Sequence, residues 1–165
     1  MKKARLHLLI LIALSAFLSG CKSIPQNPNR PILPAPITIY PNTIEYQELN
    51  FVSGWLYITS DIESTSRGII VYRLSDTEFL AYDRIPPNEP DACTDSHGNT
   101  TRLVVEDGMF VVDHCNNAYY NILNGQIIIS DDFDMVPSFP TDGTTVYPLI
   151  QYHTNYDGSK LTITN

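Results

Sequence analysis

Short runs of β-prone residues, each cut off by turn residues, set the tightest limit on what this chain can fold into. Runs rich in Ile, Val, Thr and Tyr fall at 37–40, 54–59, 68–74, 78–82, 101–106, 109–113, 126–129, 149–153 and 160–164. β-Branched and aromatic side chains suit the pleated surface of a strand, and Gly, Pro, Asn and Asp between them break it. Asp107-Gly108 sits between Leu103-Val104-Val105-Glu106 and Met109-Phe110-Val111-Val112. Such a dipeptide predicts a hairpin, because both central turn residues must take φ > 0. Asn124-Gly125 and Asp157-Gly158 mark two further turns. Beyond the N-terminus no stretch carries a sustained 3.6-residue apolar period, so no helix is expected. The expected class is all-β, a small antiparallel sandwich or barrel without internal repeats.

The N-terminus follows a different logic. Lys2, Lys3 and Arg5 precede an apolar run at 6–18, broken only by His7 and Ser15. At 13 residues the run is short of the roughly 20 needed to span a bilayer, and fits an export signal. It ends in Leu18-Ser19-Gly20-Cys21, the pattern of a bacterial lipobox. Residues 1–20 are therefore expected to be a signal peptide, and Cys21 the lipid-modified first residue of the mature chain. One acyl chain binds a membrane marginally and two hold it stably. A lipobox Cys carries at least two, which predicts permanent anchoring. Lys22 replaces the Asp that favours retention in the inner membrane, so the outer membrane is the expected location.

Residues 21–35 are expected to be a proline-rich tether, with 36–165 forming the β domain. Pro25, Pro28, Pro31, Pro34, Pro36 and Pro41 are six of the twelve prolines, and they favour an extended chain without a hydrogen-bond ladder. Cleavage removes three of the ten basic residues and none of the 18 acidic ones, leaving a formal charge of −11. That sign argues against nucleic acid as a partner. With Cys21 given to lipid, Cys93 and Cys115 remain, and an even remainder in an exported chain predicts one disulfide.

Reactive constellations are sparse. The mature chain has His97, His114 and His153, none at zinc-site spacing from another ligand. His114 and Cys115 are adjacent, so on a strand they would face opposite sides. Ser130-Asp131-Asp132-Phe133-Asp134 lacks the glycine and terminal Glu of a calcium loop and reads as a solvated loop. Neither Gly-x-Ser-x-Gly nor a glycine-rich phosphate loop is present. Nothing in the sequence supports an enzyme.

Five stretches together resemble the Rieske-like iron–sulfur fold of a group of small bacterial lipoproteins, covering about 36–165 in order. They are Gly68-Ile69-Ile70-Val71-Tyr72-Arg73 with Glu78-Phe79-Leu80-Ala81-Tyr82-Asp83-Arg84; Val111-Val112-Asp113-His114-Cys115; Tyr120 and Gly125; Pro148-Leu149-Ile150-Gln151-Tyr152; and Asp157-Gly158 through Leu161-Thr162-Ile163-Thr164-Asn165. A Rieske cluster is held by two Cys and two His. The resemblance places the first Cys-x-His pair at Pro86 and Asn88, and the second Cys-x-x-His pair at Cys115 and Ala118. Only Cys115 keeps a ligand identity, so no [2Fe–2S] cluster and no other cofactor or metal is expected. The resemblance also implies that a Cys93–Cys115 bridge would tie the two former ligand loops together.

These observations lead to a membrane-anchored envelope lipoprotein with a Rieske-like domain that has lost its cluster and acts as a binding or structural module. Its expected partners are the membrane, through the anchor, and an envelope protein. Two alternatives stay open. One is electron transfer through a [2Fe–2S] cluster held in another way. The other is an accessory domain for envelope polymers, for which Trp55, Tyr119 and Tyr120 would supply sugar platforms.

Overall fold

The computed structural model describes residues 26–59, 66–94, 96 and 98–165. The signal peptide, Cys21, the start of the tether and His97 lie outside the described residues. Among the described residues ten strands form two sheets, every pair antiparallel. They are β1 (Ile37–Ile39), β2 (Trp55–Ile58), β3 (Ile69–Arg73), β4 (Phe79–Asp83), β5 (Val104–Glu106), β6 (Phe110–Asp113), β7 (Ala118–Asn121), β8 (Ile127–Ile128), β9 (Gln151–Tyr156) and β10 (Leu161–Thr164). One sheet runs β1-β10-β9-β4-β3-β2 and the other β5-β6-β7-β8. The second sheet is thus inserted whole between β4 and β9.

Strand alternation explains the two cores. Ile69, Val71, Phe79, Ala81, Tyr152, Leu161, Ile163 and Ile39 belong to one buried cluster, with Leu56 and Ile58 packed against it. All six strands of the larger sheet point one face into that cluster, so the sheet curls around it as a half-barrel. The opposite faces of β3 and β4, through Ile70, Tyr72 and Tyr82, join Leu103, Val111, Ala118 and Tyr120 in a second cluster under the smaller sheet. β3 is buried on both faces, which is why it reads as the unbroken apolar run Ile69-Ile70-Val71-Tyr72.

Each expected β run overlaps a strand, and Asp107 and Gly108 take φ of 50° and 66° between β5 and β6. Three features depart from expectation. β7 lies in a stretch to which no strand was assigned; Asn117, at φ 49°, turns the chain in a four-residue connection from β6. Among the described residues two short 3-10 segments occur where no helix was expected, Ile44–Asn50, kinked at Tyr46, and Asp131–Phe133. The first holds Leu49 in the half-barrel core with Tyr46 packed against it, Arg73 Nη1 donates to Leu49 O at 2.8 Å, and the segment has no periodic stripe.

The third departure concerns residues 26–35, the described part of the expected tether. They form no strand, but they lie on the domain. Leu33 is buried in the half-barrel core, and its N–H donates to Asn165 Oδ1 at 2.8 Å while Asn165 Nδ2 donates to Leu33 O at 3.0 Å. Asn27 Nδ2 donates to Pro87 O at 3.0 Å, and Arg30 lies over the Tyr152 ring.

Candidate functional site

Two loops leave the ends of β4 and β6, and each starts in the same way. Asp83 closes β4 and is buried; its Oδ1 accepts from Ile85 N at 2.7 Å and its Oδ2 from the Tyr152 hydroxyl at 2.7 Å. Asp113 closes β6, also buried; Oδ1 accepts from Cys115 N at 3.0 Å and Oδ2 from Asn116 Nδ2 at 2.8 Å. In each case a carboxylate accepts the N–H two residues ahead and turns the chain out of the strand. Sequence reasoning missed both aspartates as loop anchors. The available signal was an Asp directly after an apolar strand, in Tyr82-Asp83-Arg84 and Val112-Asp113-His114.

The first loop runs from Arg84 to Leu103 and is held from below. Arg67 donates to Pro90 O, Thr101 O and Asp91 Oδ1 at 2.6, 2.8 and 2.7 Å. Arg84 donates from Nε to Leu103 O at 2.9 Å and lies 3.8 Å over the Tyr57 ring centre, where burial lowers its pKa. Cys93, in this loop, forms a disulfide with Cys115 in the second, with Cα atoms 5.9 Å apart. The bridge that cysteine arithmetic predicted therefore joins the two loops.

Of the four positions that the resemblance would give to cluster ligands, Pro86 and Asn88 lie in the first loop, Cys115 in the second and Ala118 at the start of β7. Pro86 is buried and offers no donor atom. Asn88 is 8% exposed and its amide is fully engaged. Nδ2 donates to the Tyr120 hydroxyl at 3.1 Å and to Tyr147 O at 2.9 Å, and Oδ1 accepts from Tyr147 N at 2.9 Å. Ala118 is fully buried on β7 within the second core. Cys115 is in the disulfide, and a disulfide sulfur is not the thiolate that binds iron. The donor set at these four positions does not fit a [2Fe–2S] cluster.

His114 does not complete one. His114 lies in the turn after β6, so strand alternation is not what separates it from Cys115. Its Nε2 instead pairs with Glu106 Oε1 at 2.9 Å on the exposed side of the hairpin. Among the described residues, no group of three His, Cys, Asp or Glu side chains could hold a metal ion. The acidic run is exposed and surrounds the second 3-10 helix, with Asp134 in the left-handed region and its N–H on Asp131 O.

The aromatic platforms fare differently. Tyr120 is fully buried beneath Asn88, and burial, with Asp113 nearby, holds its hydroxyl far above the ordinary tyrosine range. It offers no face to a sugar. Tyr119 packs edge-on against Phe110, and Trp55 edge-on against Tyr57. Tyr57 in turn accepts from Val105 N at 2.8 Å and so links β2 to the smaller sheet. No family model matches this chain, and no curated protein and no solved structure is found to be similar to it.

Proposed function

We propose that this protein is a lipid-anchored module of the bacterial cell envelope, with a Rieske-like β domain that works by binding or structural support instead of electron transfer or catalysis. The observation that carries the reading is the use made of the former ligand positions. Asn88 ties the first loop to Tyr120 and Tyr147, Ala118 fills core, and Cys115 cross-links the loops. Asn88 and Cys115 are thus engaged in structural bonds, and Ala118 has no donor atom. The family reading is supported by the β3–β4 pair leading into the first loop and by β6 entering the second. Anchoring at the outer membrane rests on the 6–18 apolar run, Leu18-Ser19-Gly20-Cys21 and Lys22. An envelope protein is the partner that this reading needs.

Iron content tests the proposal. Protein purified without oxygen from a host with active cluster assembly is expected to be colourless and iron-free. Stoichiometric iron with visible absorption bands would return electron transfer to first place.

A further inference from the structure

Among the described residues the two sheets end in four edge strands, and three of them are blunted. β8 has two residues and β5 three; β1 has three, flanked by Pro36 and Pro41. Short edges and prolines deter further strand pairing. β2 is the exception, four residues long, Trp-Leu-Tyr-Ile, without a charge or a proline.

The register shows what β2 presents. Arg73 N donates to Gly54 O at 2.8 Å, and Leu56 and Ile58 stand opposite Val71 and Ile69. Antiparallel ladders bond alternate residues, so the Gly54 carbonyl, Leu56 and Ile58 are spent on β3, while Gly54 N donates to Phe51 O at 3.0 Å. The N–H and C=O groups of Trp55 and Tyr57 face the open side. There the first 3-10 helix and β2 enclose an open groove of about 910 Å³, lined by Glu45, Tyr46, Glu48 and residues 53–59.

The chain that carries the first 3-10 helix exposes large apolar side chains on either side of the lining residues Glu45–Glu48. Ile44 is 89% exposed, Phe51 74%, Val52 51% and Tyr40 49%, all beside or within the helix. Four large apolar side chains are thus exposed within thirteen residues of chain. The ionic side chains lining the groove are acidic, Glu45 and Glu48. That charge selects the occupant. A second copy of this chain would bring the same acidic pair edge to edge, and an anionic bilayer would be repelled.

We propose that β2 is the template for an added strand: an extended, basic and apolar segment of another envelope protein lies in the groove, pairs with Trp55 and Tyr57, and sets its cations against Glu45 and Glu48. Main-chain bonds supply affinity, and alternate side chains lie against the groove walls at Tyr46, Leu56 and Ile58. This deepens the binding-module reading and rests on it for the kind of partner.

The test uses the full chain and three short synthetic peptides: alternating valine and lysine, alternating valine and glutamate, and the lysine peptide interrupted by proline. Amide hydrogen exchange is followed by NMR. The lysine peptide is expected to slow exchange at Trp55 and Tyr57 while Leu56 and Ile58 stay as they were. The glutamate peptide should bind roughly tenfold more weakly, as two exposed charge pairs dictate, and the proline peptide should give no protection. A Glu45→Lys/Glu48→Lys variant, altered only at exposed positions, should reverse the charge preference. No protection at β2 by any peptide, or equal binding of both charges, overturns the proposal. So does protection that rises with protein concentration alone, which indicates a second copy, or Trp55 fluorescence that responds only to phosphatidylglycerol vesicles. Iron content does not enter these readouts, so this idea and the cluster-free reading fail separately.

Discussion

Replacing Asn88 by Ala removes three hydrogen bonds at one buried point and strands their partners. The Tyr120 hydroxyl is completely buried, so it bears the full cost of an orphaned polar group, about 1–3 kcal/mol. Tyr147 is half-buried, and water can recover part of what its N–H and C=O lose, about 0.5 kcal/mol remaining for each. The expected loss is about 2–4 kcal/mol, or a fall in Tm on the order of 10 °C for a domain of this size. Urea unfolding followed by Trp55 fluorescence measures it, with an unchanged m-value confirming that stability and not compactness has moved. Tyr120→Phe in the Asn88→Ala background should cost less than in the parent protein by at least about 0.5 kcal/mol, because the hydroxyl is already stranded. A loss below about 0.5 kcal/mol for Asn88→Ala, or strictly additive substitutions, would refute the reasoning that this side chain ties the first loop to Tyr120 and Tyr147.

Reducing the Cys93–Cys115 bridge, 22 residues apart, should lower stability by about 3 kcal/mol on chain entropy; an identical urea midpoint with and without reductant contradicts this. Alkali should unfold the protein in a definite window. Burial pushes the Tyr82 hydroxyl up to about 12 and raises Tyr120 and Tyr152 as well, Tyr152 further through Asp83. The folded state therefore favours the neutral phenol. Its contribution is complete below pH 10.0, the ordinary tyrosine value, and is lost as pH climbs from there towards 12. Tyrosinate absorbance and circular dichroism should change together; full tyrosine titration near pH 10 with the fold intact speaks against it. Finally, Cys21→Ser should leave an unprocessed or soluble chain, and a mature-sized variant still held in detergent-extractable membrane would rule out the lipobox.

What the sequence determined alone is local. Strand positions follow from β-branched and aromatic runs, because burying one face of a strand demands period-two apolarity or, in β3, a continuous apolar run. Turns at Asp107-Gly108 and Gly125 follow from backbone that only permissive residues adopt; a side chain at Gly125 would also press within 3.2 Å of Tyr82. The disulfide follows from counting. The missing ligand atoms at Pro86 and Ala118 are a matter of composition too, once the resemblance has assigned those positions. β7 escaped because its four residues follow two asparagines, and nothing local distinguishes Ala118-Tyr119-Tyr120-Asn121 from the end of a loop.

Tertiary structure decided which strands are neighbours. Alternation gives a strand two faces and says nothing of its partner, so the insertion of β5–β8 between β4 and β9, and the curl of the larger sheet, depend on pairings across long stretches of chain. The same holds for Leu33, whose burial depends on Asn165, 132 residues away. Asn88 reads in sequence as a polar loop residue; only the approach of Tyr120 and Tyr147 makes it a buried junction. Trp55 and Tyr57 likewise have free backbone groups because β2 found one neighbour in β3 and no strand on its other side among the described residues. A short-range pattern specifies what a segment can bury; the remainder of the chain specifies what buries it.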